Sequence, residues 1–570
     1  MFLKNSELYF LLSIALVTSG FHFYDFGLPP LWADETSPSI MSLSLISSDN
    51  SDLYHYSRQW GAHIGPYPLA WQQYNGNGIA SYLSTPFLYF FGISVTAIRI
   101  YEMVMAISVL FLTYFTGKEI FCKKVGMISA SLLSILPSFV FYSRQSALYD
   151  WSDLCIALLV LIFGIRYLRT LKHRYLFVAL LLIGIGVYEY LWFVWIIIGF
   201  MFTIPLWINK FKNRFTASSQ SKYKIIAVSS TALVLGFSHV LVGYFISSVH
   251  SLIPFLTKTV SGDNSAYLHA SNTDFISNMS MRIHDVYDFL AHPQVAFLFA
   301  NSNHSWNVTS YVFPAIFLLT TIVSIWYVVK RKKESRRIAS IFLIISGIFI
   351  SSSFTVSEFL PIQMSVILPF MFLSIGKGFD IISNNMGKAR LLLSSRKINY
   401  LLISSIVIVG LTQLPLLASG FNTLDHSSTA DTSKVYEKIY DYANQNHLKI
   451  VSVDFFTAKV IPFYTNGNVI PITLQWTLPQ MEELGKFHDP MQKIGSLDLR
   501  DNDYLFLIYA YPTPPDCSLL SIEQTKKDPV CSVVYTIENT ALVYKMQVKT
   551  INFSLADGSS FITALRLEKN

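Results

Sequence analysis

Two adjacent carboxylates, Asp34 and Glu35, stand in Leu31-Trp32-Ala33-Asp34-Glu35-Thr36, directly after the first hydrophobic run of the chain. Carboxylates so close to lipid are costly to hold unless they face water, a cation or a substrate. Acids recur at matching places further on: Asp150 and Asp153 after the third apolar run, Glu189 at the end of the fifth, and Glu358 between the ninth and tenth. A carboxylate within hydrogen-bond reach of a substrate hydroxyl takes its proton as the hydroxyl attacks. Asp34 is the candidate base by position. Glu35 and Asp150 would orient it, bind an acceptor or hold substrate hydroxyls. If the leaving group were a lipid phosphate, its developing charge would need cations or N–H donors. Arg58, Arg99, Arg144 and Arg282 are candidates, because a guanidinium holds phosphate with two parallel bonds. Arg99 and Arg144 are equally suited to structural pairing with nearby carboxylates.

The rest of the chain shows what must carry these residues. Of 570 residues, 52% are hydrophobic, 15% aromatic and only 14% charged, against about 25% charged in an ordinary soluble domain. Apolar runs of membrane-spanning length fall at about 8–27, 96–117, 126–143, 152–170, 175–190, 191–208, 223–246, 308–329, 338–356, 360–382 and 399–420. The expected fold class is therefore a polytopic α-helical membrane protein of about eleven transmembrane helices. The pair 175–190 and 191–208 reads equally as a bent hairpin. The first run is read as a retained helix, since no small-residue cleavage site follows it.

The net charge of +7 does not point to nucleic acid, because the basic residues sit in short clusters between apolar runs. These are Lys118, Lys123 and Lys124; Arg166, Arg169, Lys172 and Arg174; Lys210, Lys212 and Arg214; Lys330 to Lys333 with Arg336 and Arg337; and Lys388, Arg390, Arg396 and Lys397. Eleven spans put all of them on one side, which the positive-inside bias makes cytoplasmic. The N-terminus is then expected inside and the C-terminal segment outside.

Residues 1–420 are expected to form the transmembrane part and 421–570 a small extracytoplasmic α/β domain. In the latter, Lys449 to Phe455, Tyr504 to Tyr509 and Val533 to Ile537 read as strands and Ser433 to Asn446 as a helix. Two outer loops, 28–95 and 247–307, complete the outline. In the first, Ile79 to Gly92 is apolar but cannot span without reversing the topology, so it reads as an interfacial helix. The second holds an amphipathic helix around Met281 to Leu290.

Four cysteines divide by place: Cys122 and Cys155 in the membrane part, Cys517 and Cys531 in the outer segment, where a disulfide would persist. There is no CxxC, no HExxH and no glycine-rich phosphate loop, which disfavours a structural zinc site and a nucleotide-driven pump. No DxD lies near Asp34; a divalent cation, Mg or Mn, held by separated acids stays open. His55, His63, Trp60, Trp71 and Tyr74 of the first loop, with Glu189 and Glu358, are candidates for substrate contact. Histidines and interfacial aromatics are common there without any such role. Asn278, Asn303, Asn307 and Asn552 stand in Asn-x-Ser/Thr sequons expected on the outer side.

The first third of the chain resembles the GT-C membrane glycosyltransferases, in particular the protein O-mannosyltransferases and the aminoarabinose transferases of lipid A. The residues that carry the resemblance are Asp34-Glu35, Pro86, Phe90-Phe91-Gly92, Arg99, Gly117-Lys118-Glu119-Ile120-Phe121, Gly126, Pro137, Ser143-Arg144 and Asp150, in that order. There are departures. Ser84-Thr85-Pro86 stands where those families often have Lys-Pro-Pro. Pro361-Ile362-Gln363-Met364 replaces an Arg-Tyr, and no Trp-Trp-Asp-x-Gly occurs. The resemblance implies a polyprenyl-phosphate or dolichyl-phosphate sugar donor, a lipid, glycan or protein acceptor, and Asp34 as base. Single displacement inverts the anomeric centre and needs no second carboxylate nucleophile. A lipid flippase would place its charges near the midplane, where this chain is nearly free of acids. A catalytically silent scaffold of the same fold is the third alternative.

Overall fold

In the computed structural model the described residues are 5–24, 31, 35–71, 78–144, 151–190, 193–215, 219–246, 274–292, 308–330, 332, 334–354, 365–388, 395–425, 432–453, 455–473, 504–509, 529–554 and 560–569. Helix α1 (Asn5–Phe23) is followed in the first loop by α2 (Ser37–Ile46), α3 (Asp52–Arg58), a hairpin β1 (Gly61–Ile64) and β2 (Tyr67–Trp71), and α4 (Gly78–Phe91). Then come α5 (Val95–Ile120), α6 (Lys123–Ser134), α7 (Pro137–Tyr142), α8 (Trp151–Thr170), α9 (His173–Glu189), α10 (Phe193–Phe215) and α11 (Ser219–Ile246). Helix α12 (Phe275–Ala291) precedes α13 (Val312–Val329), α14 (Ser335–Ser353), α15 (Leu368–Lys388) and α16 (Ser395–Asp425).

Each of the eleven apolar runs is overlapped by one of these helices, with the third divided between α6 and α7 by Pro137. Among the described residues, seven helices are long and apolar enough to cross a membrane. The chain is a multi-pass helical membrane protein. The helices meet at small residues, as packing in lipid requires. Gly117 on α5 faces Gly126 on α6, and a Cβ on Gly117 would come 2.7 Å from the Gly126 Cα. Gly184 on α9 meets Gly236 on α11, and Gly347 on α14 meets Gly199 on α10. Gly92, between α4 and α5, has φ +74°, which lets the chain turn sharply from the interfacial helix into the span.

Ion pairs fix the two ends of the bundle. At one end Glu7 of α1 meets Lys118 at 2.7 Å and Lys123 at 4.0 Å. There too Glu119 meets Arg166 at 3.4 Å and Lys124 meets Asp380 at 3.9 Å. Arg99 lies nineteen residues before Lys118 on α5, about 28 Å along a helix, and so belongs to the other end. Because α8 runs alongside α5 with its Arg166 at the basic end, its first turn, with Asp153, also lies at the Arg99 end.

Beyond α16 the chain forms a five-stranded mixed sheet in the order β4-β3-β5-β7-β6, from β3 (Lys449–Ser452), β4 (Ile472–Thr473), β5 (Tyr504–Tyr509), β6 (Met546–Ser554) and β7 (Ser560–Lys569). β3 is parallel to β4 and β5, and β7 is antiparallel to β5 and β6. Alternation along β5 sends Leu505 and Leu507 to one face, against α17 (Thr432–Gln445) and α18 (Phe455–Tyr464). Phe506 and Ile508 go to the other, against α19 (Pro529–Tyr544).

Two expectations are corrected here. Val533 to Ile537 is helical, inside α19: its β-branched residues favour a strand, but Ile537 and Ala541, four apart, bury one helix face on the sheet. The Lys449 to Phe455 strand stops at Ser452, and α18 begins at Phe455. Strands β6 and β7 and the β1–β2 hairpin went unread.

Candidate active site

The first loop is not separate from the C-terminal sheet. Leu31, Ile40, Met41, Tyr56, Trp60, Ala97 and Ile98 share one buried cluster with Tyr436, Ile461 and Phe463. Beneath this shared core lies a network of buried charge. The Arg99 guanidinium reaches the Glu35 carboxylate at 2.9 Å and the Glu102 carboxylate at 2.9 Å, and it also donates to the Arg144 carbonyl. Arg144 donates to the Phe21 carbonyl at 3.0 Å and to the Tyr24 carbonyl at 2.7 Å, and its guanidinium lies 5.0 Å from the Phe421 ring centre. His22 pairs with Ser143 at 2.9 Å. The end of α1, the start of α5 and the end of α7 are thus tied together by two guanidiniums and two carboxylates that balance in formal charge. Such a cluster survives burial only when each charge is compensated.

Glu102 was missed in the sequence. Its signal was available: an acid three residues after Arg99, the spacing that puts both on one helix face.

Glu189, a candidate for substrate contact, is engaged with three donors of the fold. Its carboxylate accepts the Ile79 amide at 2.5 Å, the Ala80 amide at 3.1 Å and the Ser152 hydroxyl at 2.5 Å. It caps the N-terminus of α4 from another helix, where the free amides favour an anion, and couples α4 to the first turn of α8. Helix α4 itself contains Pro86 and leaves Tyr89 and Phe90 largely exposed, as suits a helix lying at a membrane surface. Glu189→Gln is expected to weaken the cap by about 1–2 kcal/mol, read as faster amide exchange across 79–84 with the remaining helices unchanged.

The other candidates fall as follows. Arg58 and His55 are exposed on α3, Arg58 lying over Tyr54 at 5.3 Å. Trp60 is buried under Lys459 of α18, which stands 5.8 Å from its ring centre. His63 is buried in the hairpin. Arg282, on α12, is fully buried and donates to the Ser352 carbonyl at 3.4 Å, next to Asn278, which donates to the Ser353 carbonyl at 3.2 Å. Both satisfy free carbonyls at the C-terminus of α14. Asn278, one of the sequon asparagines, is therefore committed inside the fold, whereas Asn552 is exposed. Asp34, Asp150, Tyr74, Trp32, Glu358, Asn303 and Asn307 lie outside the described residues. Among the described residues no group of three His, Cys, Asp or Glu side chains is placed to hold a metal. Cys531 is disulfide-bonded and buried, while Cys517 is outside the described residues; Cys122 and Cys155 are free.

Asp285 sits one turn from Arg282, buried, with Oδ2 unpartnered among the described residues. Burial pushes its carboxyl from 3.8 up to about 7, Asp288 adds to this, and Arg282 and His284 pull the other way. The folded chain thus keeps a proton that the unfolded chain loses near pH 4. Stability is expected to fall as pH rises from about 4 through about 7 and then level off. Asp285→Asn should flatten that slope and raise the thermal midpoint above pH 7, by on the order of 1 kcal/mol.

The described geometry corresponds to known proteins. Residues 79–241 match the sequence family described as dolichyl-phosphate-mannose-protein mannosyltransferase. No curated relative matches the chain by sequence. Among solved structures, ArnT from Cupriavidus metallidurans bound to undecaprenyl phosphate is similar at a TM-score of 0.59 and 9% identity. The match covers 99% of this chain and 98% of that one. The apo state of the same protein gives 0.53 over the same shares, again at 9% identity. An oligosaccharyltransferase from Archaeoglobus fulgidus tethered with an acceptor peptide gives 0.49 at 11% identity, covering 98% of this chain and 74% of that one. The chain has the GT-C fold.

Proposed function

We propose that this protein is a membrane glycosyltransferase that moves a monosaccharide from a polyprenyl-phosphate donor to an acceptor at the outer membrane face. The observation that carries the reading is the buried Glu35–Arg99–Glu102 network, tied to Arg144 at the end of the bundle opposite the basic residues. It supports rigid placement of the segments next in sequence to Asp34. Asp34 takes the proton of the attacking hydroxyl. Asp150, six residues beyond Arg144, orients it or binds the acceptor. Glu35 holds Arg99 and carries the doublet with it. The match of residues 79–241 to the mannosyltransferase family supports a dolichyl- or undecaprenyl-type donor, and a similar structure binds undecaprenyl phosphate. Arg58, exposed on α3 of the first loop, is available to meet a phosphate, whereas Arg99 and Arg144 act by holding the site together.

Orientation follows from charge. The end carrying Lys118, Lys123, Arg166 and Arg337 is cytoplasmic by the positive-inside bias, which sets the C-terminal sheet outside; the disulfide at Cys531 agrees with an oxidising compartment.

The test is a transfer assay in liposomes. Radiolabelled polyprenyl-phosphate sugars are offered with native membrane extract, and the Asp34→Asn chain is run in parallel. Label reaching an acceptor only with the unaltered chain supports the reading. Lipid translocation without sugar transfer, or transfer equal in both chains, overturns it.

A further inference from the structure

We propose that helix α18 of the C-terminal sheet region clamps the two ends of the stretch 31–37, with Tyr464 as a positioning residue for the sequence segment that carries the acid doublet. This rests on the glycosyltransferase reading for its effect on rate but not for its geometry. The Tyr464 phenol accepts the Leu31 amide at 2.8 Å, across 433 positions of sequence. Five residues earlier on the same helix, Lys459 donates to the Ser37 hydroxyl at 3.1 Å. The two contacts bracket residues 31 to 37, the stretch that contains Asp34-Glu35. Next to Lys459, the Ala458 carbonyl accepts the Tyr56 hydroxyl at 2.6 Å, so α3 is drawn to the same helix. On the opposite side Glu35 is held by Arg99.

The clamp is itself rigid. Tyr464 stacks on Tyr436 with ring centres 4.9 Å apart and planes 13° from parallel. It sits close enough to the Glu35–Arg99 pair to feel both charges, and burial pushes its hydroxyl well above the usual tyrosine range, so it stays protonated. A buried backbone amide must be paired, and here the pairing comes from a helix more than four hundred residues away. A catalytic segment in a loop gains precision when groups on rigid elements hold it. Small displacements of a base cost large factors in rate.

Tyr464→Phe removes the acceptor and preserves the ring stack. Tyr442→Phe, which loses an Arg566 contact of 3.3 Å elsewhere in the same domain, is the control. Tyr464→Phe is expected to lower kcat for sugar transfer about 10- to 100-fold with donor KM within about twofold. In an Asp34→Asn background it should lower the residual rate by no more than about twofold, because it acts through the same base. Amide exchange of peptides covering 31–37 should quicken in Tyr464→Phe and not in Tyr442→Phe.

Unchanged exchange of 31–37 overturns the clamp, whether or not the chain transfers sugar. A normal kcat in Tyr464→Phe, or losses that multiply fully with Asp34→Asn, overturns the positioning role. Absence of transfer by the unaltered chain, with the exchange difference intact, overturns the glycosyltransferase reading and leaves the clamp standing.

Discussion

Replacing Asp34 by Asn is expected to reduce sugar transfer by about 10²–10⁴-fold while leaving the protein folded. Asparagine preserves the size of the side chain and its capacity to hydrogen-bond, and removes only its ability to take a proton. The adjacent Glu35 is an inadequate substitute, because its carboxylate is held 2.9 Å from Arg99 and is buried. A carboxylate so engaged is a poor base, since taking a proton would leave Arg99 with one partner fewer. The loss should therefore fall on kcat, and donor affinity should change little. It is read from initial rates at saturating donor, beside a thermal midpoint that matches the unaltered chain. Glu35→Gln separates the roles. It should lower both the midpoint and the rate, since it breaks the network as well as disturbing the segment. An Asp34→Asn chain with normal kcat would remove Asp34 as the base.

Arg99→Met should be the most damaging substitution for stability, at about 3–5 kcal/mol. It removes the cation that Glu35 and Glu102, neither with any side-chain exposure, each contact at 2.9 Å. It also removes the donor to the Arg144 carbonyl, so the ends of α1 and α7 lose part of their connection to α5. Folded yield in detergent and the thermal midpoint should both drop sharply. Arg99→Lys keeps the charge without the planar fork and should lose less. The informative chain combines Arg99→Met with Glu35→Gln and Glu102→Gln, which removes all three charges together. Much of the midpoint should return in it, because replacing a whole buried ionic group is far less costly than orphaning part of one. Transfer should not return, since the doublet loses its anchor. A midpoint for Arg99→Met equal to that of the unaltered chain would show that the network contributes nothing to the fold.

The helical plan was legible because it follows from composition and length. A backbone crossing lipid must satisfy its own polar groups, so each span is written as a long apolar run; each of the eleven runs is overlapped by a helix, seven of them long and apolar enough to cross among the described residues. The basic clusters were legible for the same reason: they sit between runs, and Lys118, Arg166 and Arg337 do gather at one end. The soluble part was harder to read. β-propensity took Val533 to Ile537 for a strand, when packing on the sheet made it helical. The site was legible in residue type but not in partnership. Arg99 read equally as a phosphate ligand or an ion-pair partner, and only the structure puts two carboxylates 2.9 Å from it. Glu189 read as a ligand because nothing local reveals that the amides of residues 79 and 80 lie beside it.

What the sequence by itself determined is therefore the multi-pass helical plan and the residue types available to it, since these depend on the solvent each segment must meet. What only the tertiary structure decided is who faces whom. Arg99 stands between Glu35 and Glu102, Glu189 caps a helix it does not belong to, and Tyr464 grips Leu31 from the far end of the chain. Those pairings join residues up to 433 positions apart. They depend on the packing of whole helices and a sheet, which no local pattern encodes.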